Sequence, residues 1–157
     1  MADRHDVARA IAFFDRCDDA VLLHRLSGEV APRAKRMVAQ IIARGGEDAI
    51  PAPADLGPSR DVADEAQAVA TLGAVVDFAL LQVLARAIGR RIETLEIAAS
   101  AQFPDGARVL VPKMVAFPPA AADQPGTVES TGTMLRVRLD NGESWQGPPS
   151  LARLTQA

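Results

Sequence analysis

The chain has no tyrosine, one tryptophan, one cysteine and two lysines among its 157 residues. A single cysteine excludes a disulfide within the chain. Because aromatic residues make up only 4% of the sequence, the core must consist mainly of Ala, Val, Leu and Ile. The scarcity of lysine and of stacking aromatics, together with a net charge of −3, argues against direct binding of nucleic acid.

Signals for membrane insertion or export are also lacking. The first five residues do not show the basic-then-apolar order of a signal peptide. The most apolar run, residues 66–88, is interrupted by polar side chains that include Thr71, Asp77, Gln82 and Arg86, whereas a spanning helix needs about 20 nearly uncharged residues. We therefore expect a cytoplasmic protein with no membrane association.

The dominant pattern lies between Ser59 and Ser100. Apolar or small residues recur there at alternating intervals of four and three, which is typical of a long helix packed against another helix: Val62, Ala66, Val69, Gly73, Val76, Leu80, Val83 and Ala87. We predict one central helix with a cap at Ser59 or Asp61 and a bend at Gly89 or Gly73. A homodimer through this helix is one way to cover its apolar stripe.

The residues before the central helix also predict helices. Asp3 or Asp6 can cap a first helix, and Ser27-Gly28 should end or kink the segment that follows. A further helix should start near Pro32 and stop at Gly45-Gly46. Its predicted buried stripe comprises Ala34, Met37, Val38, Ile41 and Ile42.

The loop 46–60 is rich in proline and flanked by acids. Glu47, Asp48 and Asp55 are candidate binding residues in it. Together with nearby carboxylates they could form a metal-chelating tip, and the competing interpretation is helix capping plus a solvated turn.

After Phe103 the apolar period changes from about 3.6 to 2, which predicts strands. Asp140-Asn141-Gly142 is the strongest hairpin turn, and residues 116–124 should form a loop. The predicted strands are 108–111, 126–130, 134–139 and 143–146, with a short strand or helical turn at 150–154. We predict an α+β protein with a helical domain, residues 1–100, and a small SH3-like antiparallel β-barrel domain, residues 104–157.

Three residues of the predicted barrel are candidates for binding. Arg136 and Arg138 alternate with apolar residues and should share one face of the sheet. This face is either solvent-exposed without a binding role or a surface for an acidic partner. Trp145 should anchor the core, or would mark a recognition surface if it were exposed.

Residues with catalytic or metal-binding chemistry are few and scattered. Cys17 and His24 would share a helix face, but two ligands do not make a zinc site, so Cys17 is better read as a small buried residue. Asp77 stands among apolar residues and should lie on an open edge, or pair with an arginine of another helix as a register-setting contact, or act as an acid in a cleft. We expect no metal and no cofactor, and the absence of a catalytic motif disfavours an enzyme without excluding one.

Two segments resemble known families. The run Gly89-Arg-Arg-Ile-Glu-Thr-Leu-Glu-Ile resembles the end of the second coiled-coil helix of Gre-type transcription factors, which place an acidic tip in the secondary channel of RNA polymerase. The segments Gly126-Thr-Val and Val137-Arg-Leu-Asp-Asn-Gly resemble KOW- or SH3-like barrels, which bind proteins or RNA.

These observations favour a non-enzymatic regulatory or adaptor protein that binds another macromolecule, and we expect this partner to be a protein. The binding face would be the barrel with Arg136 and Arg138. One alternative is a transcription regulator that engages RNA polymerase through the acidic loop, residues 47–65. The other is a small enzyme with a pocket between the helices and the barrel.

Overall fold

The computed structural model describes residues 2–113 and 120–155 and confirms the α+β class. Within these residues the chain forms four α-helices: α1 (Arg4–Phe14), α2 (Ala20–Gly45), α3 (Glu65–Ala74) and α4 (Phe78–Ser100). Five strands follow: β1 (Arg108–Lys113), β2 (Ala120–Thr131), β3 (Leu135–Leu139), β4 (Ser144–Gly147) and β5 (Arg153–Leu154). Single 3₁₀ turns occupy Glu47–Ala49 and Pro149–Leu151. None of the helices in the described ranges has a stretch long and apolar enough to cross a lipid bilayer.

The chain divides into two compact units. Unit 1 comprises Met1–Cys17 and Leu26–Arg91, and unit 2 comprises Asp18–Arg25 and Ile92–Ala157. Residues from both α2 and α4 therefore belong to each unit. The predicted division into domains 1–100 and 104–157 stays a prediction.

Helix α1 begins as the sequence predicts. The Asp3 side chain accepts a hydrogen bond from the Asp6 backbone N–H, and the Asp6 side chain accepts one from the Asp3 N–H. This reciprocal capping satisfies donors that the first turn of a helix leaves unpaired. Val7, Ala10 and Phe14 form the buried face of α1, which contacts α3 in unit 1.

The predicted break at Ser27-Gly28 and the predicted helix start near Pro32 are both wrong, because α2 runs unbroken for 26 residues. Pro32 has no N–H to donate to the carbonyl of Gly28, but both residues are exposed, so water can solvate that carbonyl. The predicted stop is confirmed, since α2 ends at Gly45 and Gly46 has a φ of 79°. The predicted buried stripe is wrong, because Ile42 is 38% exposed and the other four residues, Ala34, Met37, Val38 and Ile41, are only half-buried.

The single central helix predicted for residues 59–100 is wrong. The chain forms two helices, separated at Val75–Asp77 and not at Gly73 or Gly89. Helix α3 is capped by Asp64, in a reciprocal pair with Gln67, and not by Ser59 or Asp61. The apolar stripe shifts accordingly: Val76 is 67% exposed, whereas the neighbouring Leu72 and Val75 are buried.

Asp77 is the residue that separates these helices. Its Oδ1 accepts a hydrogen bond from the Ala79 N–H at 2.8 Å, and its carbonyl accepts one from the Leu81 N–H at 3.0 Å. A short carboxylate that bonds the backbone in this way favours a helix start over a helix interior. Asp77 is exposed, which agrees with the predicted open edge, and it is neither a register-setting contact nor an acid in a cleft.

Arg33 of α2 stabilises the other side of the break, which is the C-terminal end of α3. Its guanidinium donates hydrogen bonds to the carbonyls of Leu72 and Val75, at the C-terminal end of α3. A cation at this position is favourable because the last carbonyls of a helix are unpaired and carry the negative end of its dipole.

The strands form one antiparallel sheet in the order β4-β3-β2-β1-β5. Within the described residues β4 and β5 do not pair with each other, so the sheet is open. The hairpin at Asp140-Asn141-Gly142 is confirmed, with Gly142 at a φ of 91° and the Asn141 side chain accepting from the Glu143 N–H. The predicted loop 116–124 is wrong for its last five residues, which belong to β2, and residues 116–119 lie outside the described ranges.

The core of unit 2 lies on one face of this sheet. It combines the inward side chains of the strands with one residue before β1 and two after β4: Phe103, Val109, Val111, Val128, Leu135, Val137, Leu139, Trp145, Leu151 and Ala152. The pairing of β1 with β2 shifts register between Pro112 and Lys113, and the pairing of β2 with β3 shifts register between Val128 and Ser130. Such irregularities increase the local twist of a sheet.

Replacing the capping carboxylate tests this account of the helix break. We expect Asp77→Ala to lower the free energy of unfolding by about 1 kcal/mol, because the Ala79 N–H loses its acceptor. Asp77→Asn should retain most of the stability. Glu93→Ala, which removes an exposed acid from the interior of α4, is the matched control. Chemical denaturation measures all three, and equal losses in Asp77→Ala and Glu93→Ala would contradict the capping role.

Candidate functional site

Arg136 and Arg138 project from β3 on the side of the sheet opposite the core. The strand alternates between buried and exposed positions, with Leu135, Val137 and Leu139 facing inward. This alternation follows from the two-residue period of a strand and confirms that both arginines share one face. We call the exposed side that carries Arg108, Arg136, Arg138 and Arg153 the outer face.

Three of the four arginines on the outer face are neutralised by acids of the same unit. Arg138 Nε donates to Glu129 Oε1 at 2.8 Å, and Arg153 pairs with Asp123. Arg108 makes a bidentate contact with Asp140, at 2.7 and 2.6 Å, and also donates to Thr127. The arginine row that the sequence suggests is therefore largely a set of ion pairs.

Arg136 differs from the other three arginines. Within residues 2–113 and 120–155, no carboxylate lies at salt-bridge distance from its guanidinium. Its partners in the strand register are Gln146 on β4 and Ser130 on β2, and all three residues are exposed. The outer face thus combines one uncompensated cation with two uncharged polar side chains.

The Arg108–Asp140 pair shifts the titration of both groups. The hydrogen bonds from Arg108, with its charge, lower the pKa of Asp140, and the same contact raises the pKa of Arg108. A lowered carboxyl pKa contributes stability above the pKa of the unfolded chain. That contribution is lost as the pH falls through the pKa of the folded state. Both groups are exposed, so screening by solvent keeps the contribution small.

Trp145 lies in the core and is 5% exposed, which corrects its place among the candidate binding residues. Its position on β4 faces inward, and its Nε1–H donates to the Pro112 carbonyl at 3.0 Å. Gly147 leaves room for the indole, because a Cβ there would lie 2.7 Å from the ring. The tryptophan is fixed by packing and by a hydrogen bond, and it offers no exposed ring to a partner.

The acidic candidates of the loop are exposed but do not converge. Glu47 and Asp48 lie in the 3₁₀ turn after α2, whereas Asp55 lies in the irregular segment that follows, where its carbonyl accepts a hydrogen bond from Arg4. No group of three or more metal-ligating side chains occurs in the part of the chain that the structure describes. Asp64 of the neighbouring acids caps α3, which favours the capping interpretation over a chelating tip.

The structure also places together three polar residues of unit 2 that sequence reasoning did not connect. His24 Nε2 lies 3.0 Å from Glu96 Oε1 and 3.2 Å from Ser150 Oγ. The Ser150 hydroxyl and backbone N–H both donate to the Glu96 carboxylate. The residues lie 72 and 126 positions from His24 along the chain, so no local motif could reveal them.

This cluster has the residue types of a Ser-His-acid triad but not its arrangement. A triad needs the serine hydroxyl on one imidazole nitrogen and the acid on the other. Here Glu96 and Ser150 meet the same nitrogen of His24, and the hydroxyl donates to the acid. The cluster therefore joins α2, α4 and the Pro149–Leu151 turn within unit 2 rather than activating a nucleophile. Cys17, the other sequence candidate, is buried and precedes α2, so it shares no helix with His24.

No protein-family model, curated protein or solved structure matches the chain. The function proposed below therefore depends on the geometry of the chain itself.

The outer-face pair predicts a measurable titration. In wild-type protein, the Asp140 carboxyl should titrate below the ordinary aspartate pKa, and Arg108→Gln should return it toward that value because the charged donor is lost. Carbon-detected NMR of the carboxyl signal against pH measures this. Arg136→Gln, which removes a cation of the same face without a contact to Asp140, is the control. An unchanged Asp140 titration in Arg108→Gln would contradict the assignment.

The His24–Glu96–Ser150 cluster predicts a loss of stability. Glu96→Gln keeps the shape of the side chain but weakens charge-assisted hydrogen bonds from Ser150, and we expect a loss of about 1–2 kcal/mol. Thermal unfolding measures it. Glu93→Gln, an exposed change on the same helix, should have almost no effect. If the two variants unfold alike, the cluster does not support unit 2.

Proposed function

We propose that the chain is a non-enzymatic, cytoplasmic regulatory or adaptor protein that binds another protein through the outer face. The observation that carries this proposal is Arg136, an exposed cation without a described acidic partner, beside Ser130 and Gln146. A guanidinium presents several donors in a planar fork that matches a carboxylate. An acidic segment of a partner protein fits this chemistry, with Asp or Glu on Arg136.

The neighbouring ion pairs extend the same surface. Arg138 is 72% exposed although it bonds to Glu129. Because exposed ion pairs typically contribute only about 0–1 kcal/mol, an incoming carboxylate can replace Glu129 at little cost. A second acidic residue of the partner would then bind Arg138, two residues along β3 from Arg136.

We further propose that the sheet of unit 2 is an SH3-like curled sheet of the kind that the KOW and SH3 resemblance implies. Its five short antiparallel strands, its core on one face and the two irregularities in pairing support this proposal. The resemblance bears on the fold, and the binding proposal rests on the outer face.

The second candidate is a transcription regulator that engages RNA polymerase through the acidic loop. Glu47 and Asp48 favour it, because both carboxylates are exposed at the turn directly after α2. The run that resembles Gre-type factors lies within α4, in agreement with a helix at that position. The enzyme alternative gains no support from His24, since its nitrogen faces an acid and a hydroxyl at once. The homodimer through residues 59–100 stays a prediction.

Affinity capture from the source cell tests the adaptor proposal. We expect Arg136→Gln to reduce recovery of the bound protein at least about fivefold, as expected for loss of one interfacial charge contact of about 1 kcal/mol. Arg153→Gln, which removes an arginine already paired with Asp123, is the matched control and should retain the partner.

The same experiment separates the candidates. Recovery of RNA polymerase subunits that is lost in Glu47→Gln/Asp48→Asn but retained in Arg136→Gln would favour the second candidate. Equal recovery by wild type, Arg136→Gln and Arg153→Gln would refute binding through the outer face.

A further inference from the structure

A concave pocket lies in unit 1, at the C-terminal end of α2. Its volume is about 370 Å³, within the range of small-molecule sites. The walls are mainly apolar and come from α2, from the Glu47–Ala49 turn and the chain after it, and from the break before α4 and its first residue: Met37, Ile41, Ala49, Pro51, Val76 and Phe78. The two remaining lining residues, Gln40 and Arg44, are polar.

Backbone features build the walls of this pocket. Gly45 lets the turn approach α2 closely, because a Cβ at this position would lie 2.8 Å from the Ala49 Cβ. The Gln82 side chain donates to the Pro51 carbonyl at 2.9 Å and so holds the opposite wall. The break between α3 and α4 directs Val76 toward solvent, where it is 67% exposed. An exposed valine at the edge of an apolar pocket is a surface that a ligand can cover.

The polar residues specify the ligand. Gln40 and Arg44 are four positions apart on α2, so they lie on the same face of the helix. In the part of the chain that the structure describes, neither side chain makes a hydrogen bond or ion pair. A guanidinium and an amide at the edge of an apolar pocket provide donors for one carboxylate.

Charge separates this ligand from others of similar size. Among the described residues of the lining, Arg44 is the only charged one. The nearby carboxylate of Asp77 bonds to the start of α4 and is not part of the lining. An amine would meet the like charge of Arg44, and a neutral alcohol would forgo the ion pair.

We propose that this pocket binds a small apolar monocarboxylate. The alkyl or aryl group contacts Met37, Ile41 and Phe78, and the carboxylate accepts hydrogen bonds from Arg44 and Gln40. This site is separate from the outer face, and either proposal can fail without the other.

Titration of ¹⁵N-labelled protein with hexanoate, hexan-1-ol and hexylamine tests the proposal. We expect hexanoate to give saturable shifts at the Gln40 side-chain amide and at the Val76 and Phe78 backbone amides. Because Arg44 is exposed, the affinity of hexanoate should exceed that of the alcohol and of the amine about threefold to fivefold, as expected for an exposed ion pair of up to about 1 kcal/mol. Arg44→Gln should abolish this preference, whereas Lys35→Gln, an exposed cation of α2 outside the pocket, should retain it.

The following results of these titrations would contradict the proposal. No saturable shift below roughly 10 mM, which corresponds to negligible affinity, would overturn it. Equal binding of hexanoate and hexan-1-ol, or equal effects of Arg44→Gln and Lys35→Gln, would overturn the role of Arg44. Binding of the peptide acetyl-Ala-Leu with a free carboxylate at least about tenfold more tightly than hexanoate would show a peptide C-terminus as the occupant and refute the small-molecule ligand.

Discussion

The interruption between α3 and α4 is the feature on which most of unit 1 depends. Asp77 binds the backbone at the start of α4, and Arg33 binds the carbonyls of Leu72 and Val75 at the end of α3. Each helix end therefore has a charged side chain of the sign that its dipole favours. Because the chain is not helical between these ends, Val76 is directed into solvent and borders the pocket at the end of α2.

Local signals predicted much of the secondary structure, and tertiary contacts explain the failures. The Asp3 cap, the stop at Gly45 and the Asn141-Gly142 turn each depend on neighbouring residues, so the sequence alone reveals them. The interruption at Asp77 was missed because the four-and-three spacing continues across it and because Arg33 lies 39 and 42 residues from the carbonyls that it binds. The predicted helix start near Pro32 is wrong because a proline is tolerated inside α2 at this exposed position. Neighbouring residues in the sequence do not reveal that exposure.

The sequence predicts on which side of the sheet the arginines of the candidate site lie, but it does not predict which of them are paired with acids. The two-residue period placed Arg136 and Arg138 on one face, and the structure agrees. The acids that pair with Arg138 and Arg153 both come from β2, and the acid that pairs with Arg108 lies directly after β3, so the pairing depends on strand order. The same limit applies to His24, whose two polar partners come from α4 and from the turn before β5.

The internal pairing of the outer face has a consequence for kinetics. Opposite charges a few ångströms apart produce a field that fades with distance faster than that of separate ions, and dissolved salt reduces it further. Such a surface attracts a distant partner only weakly, so diffusion rather than steering sets the encounter rate. For the acidic partner proposed above, selectivity would then arise after contact, from how long its segment is retained beside the one guanidinium that the described sheet leaves uncompensated.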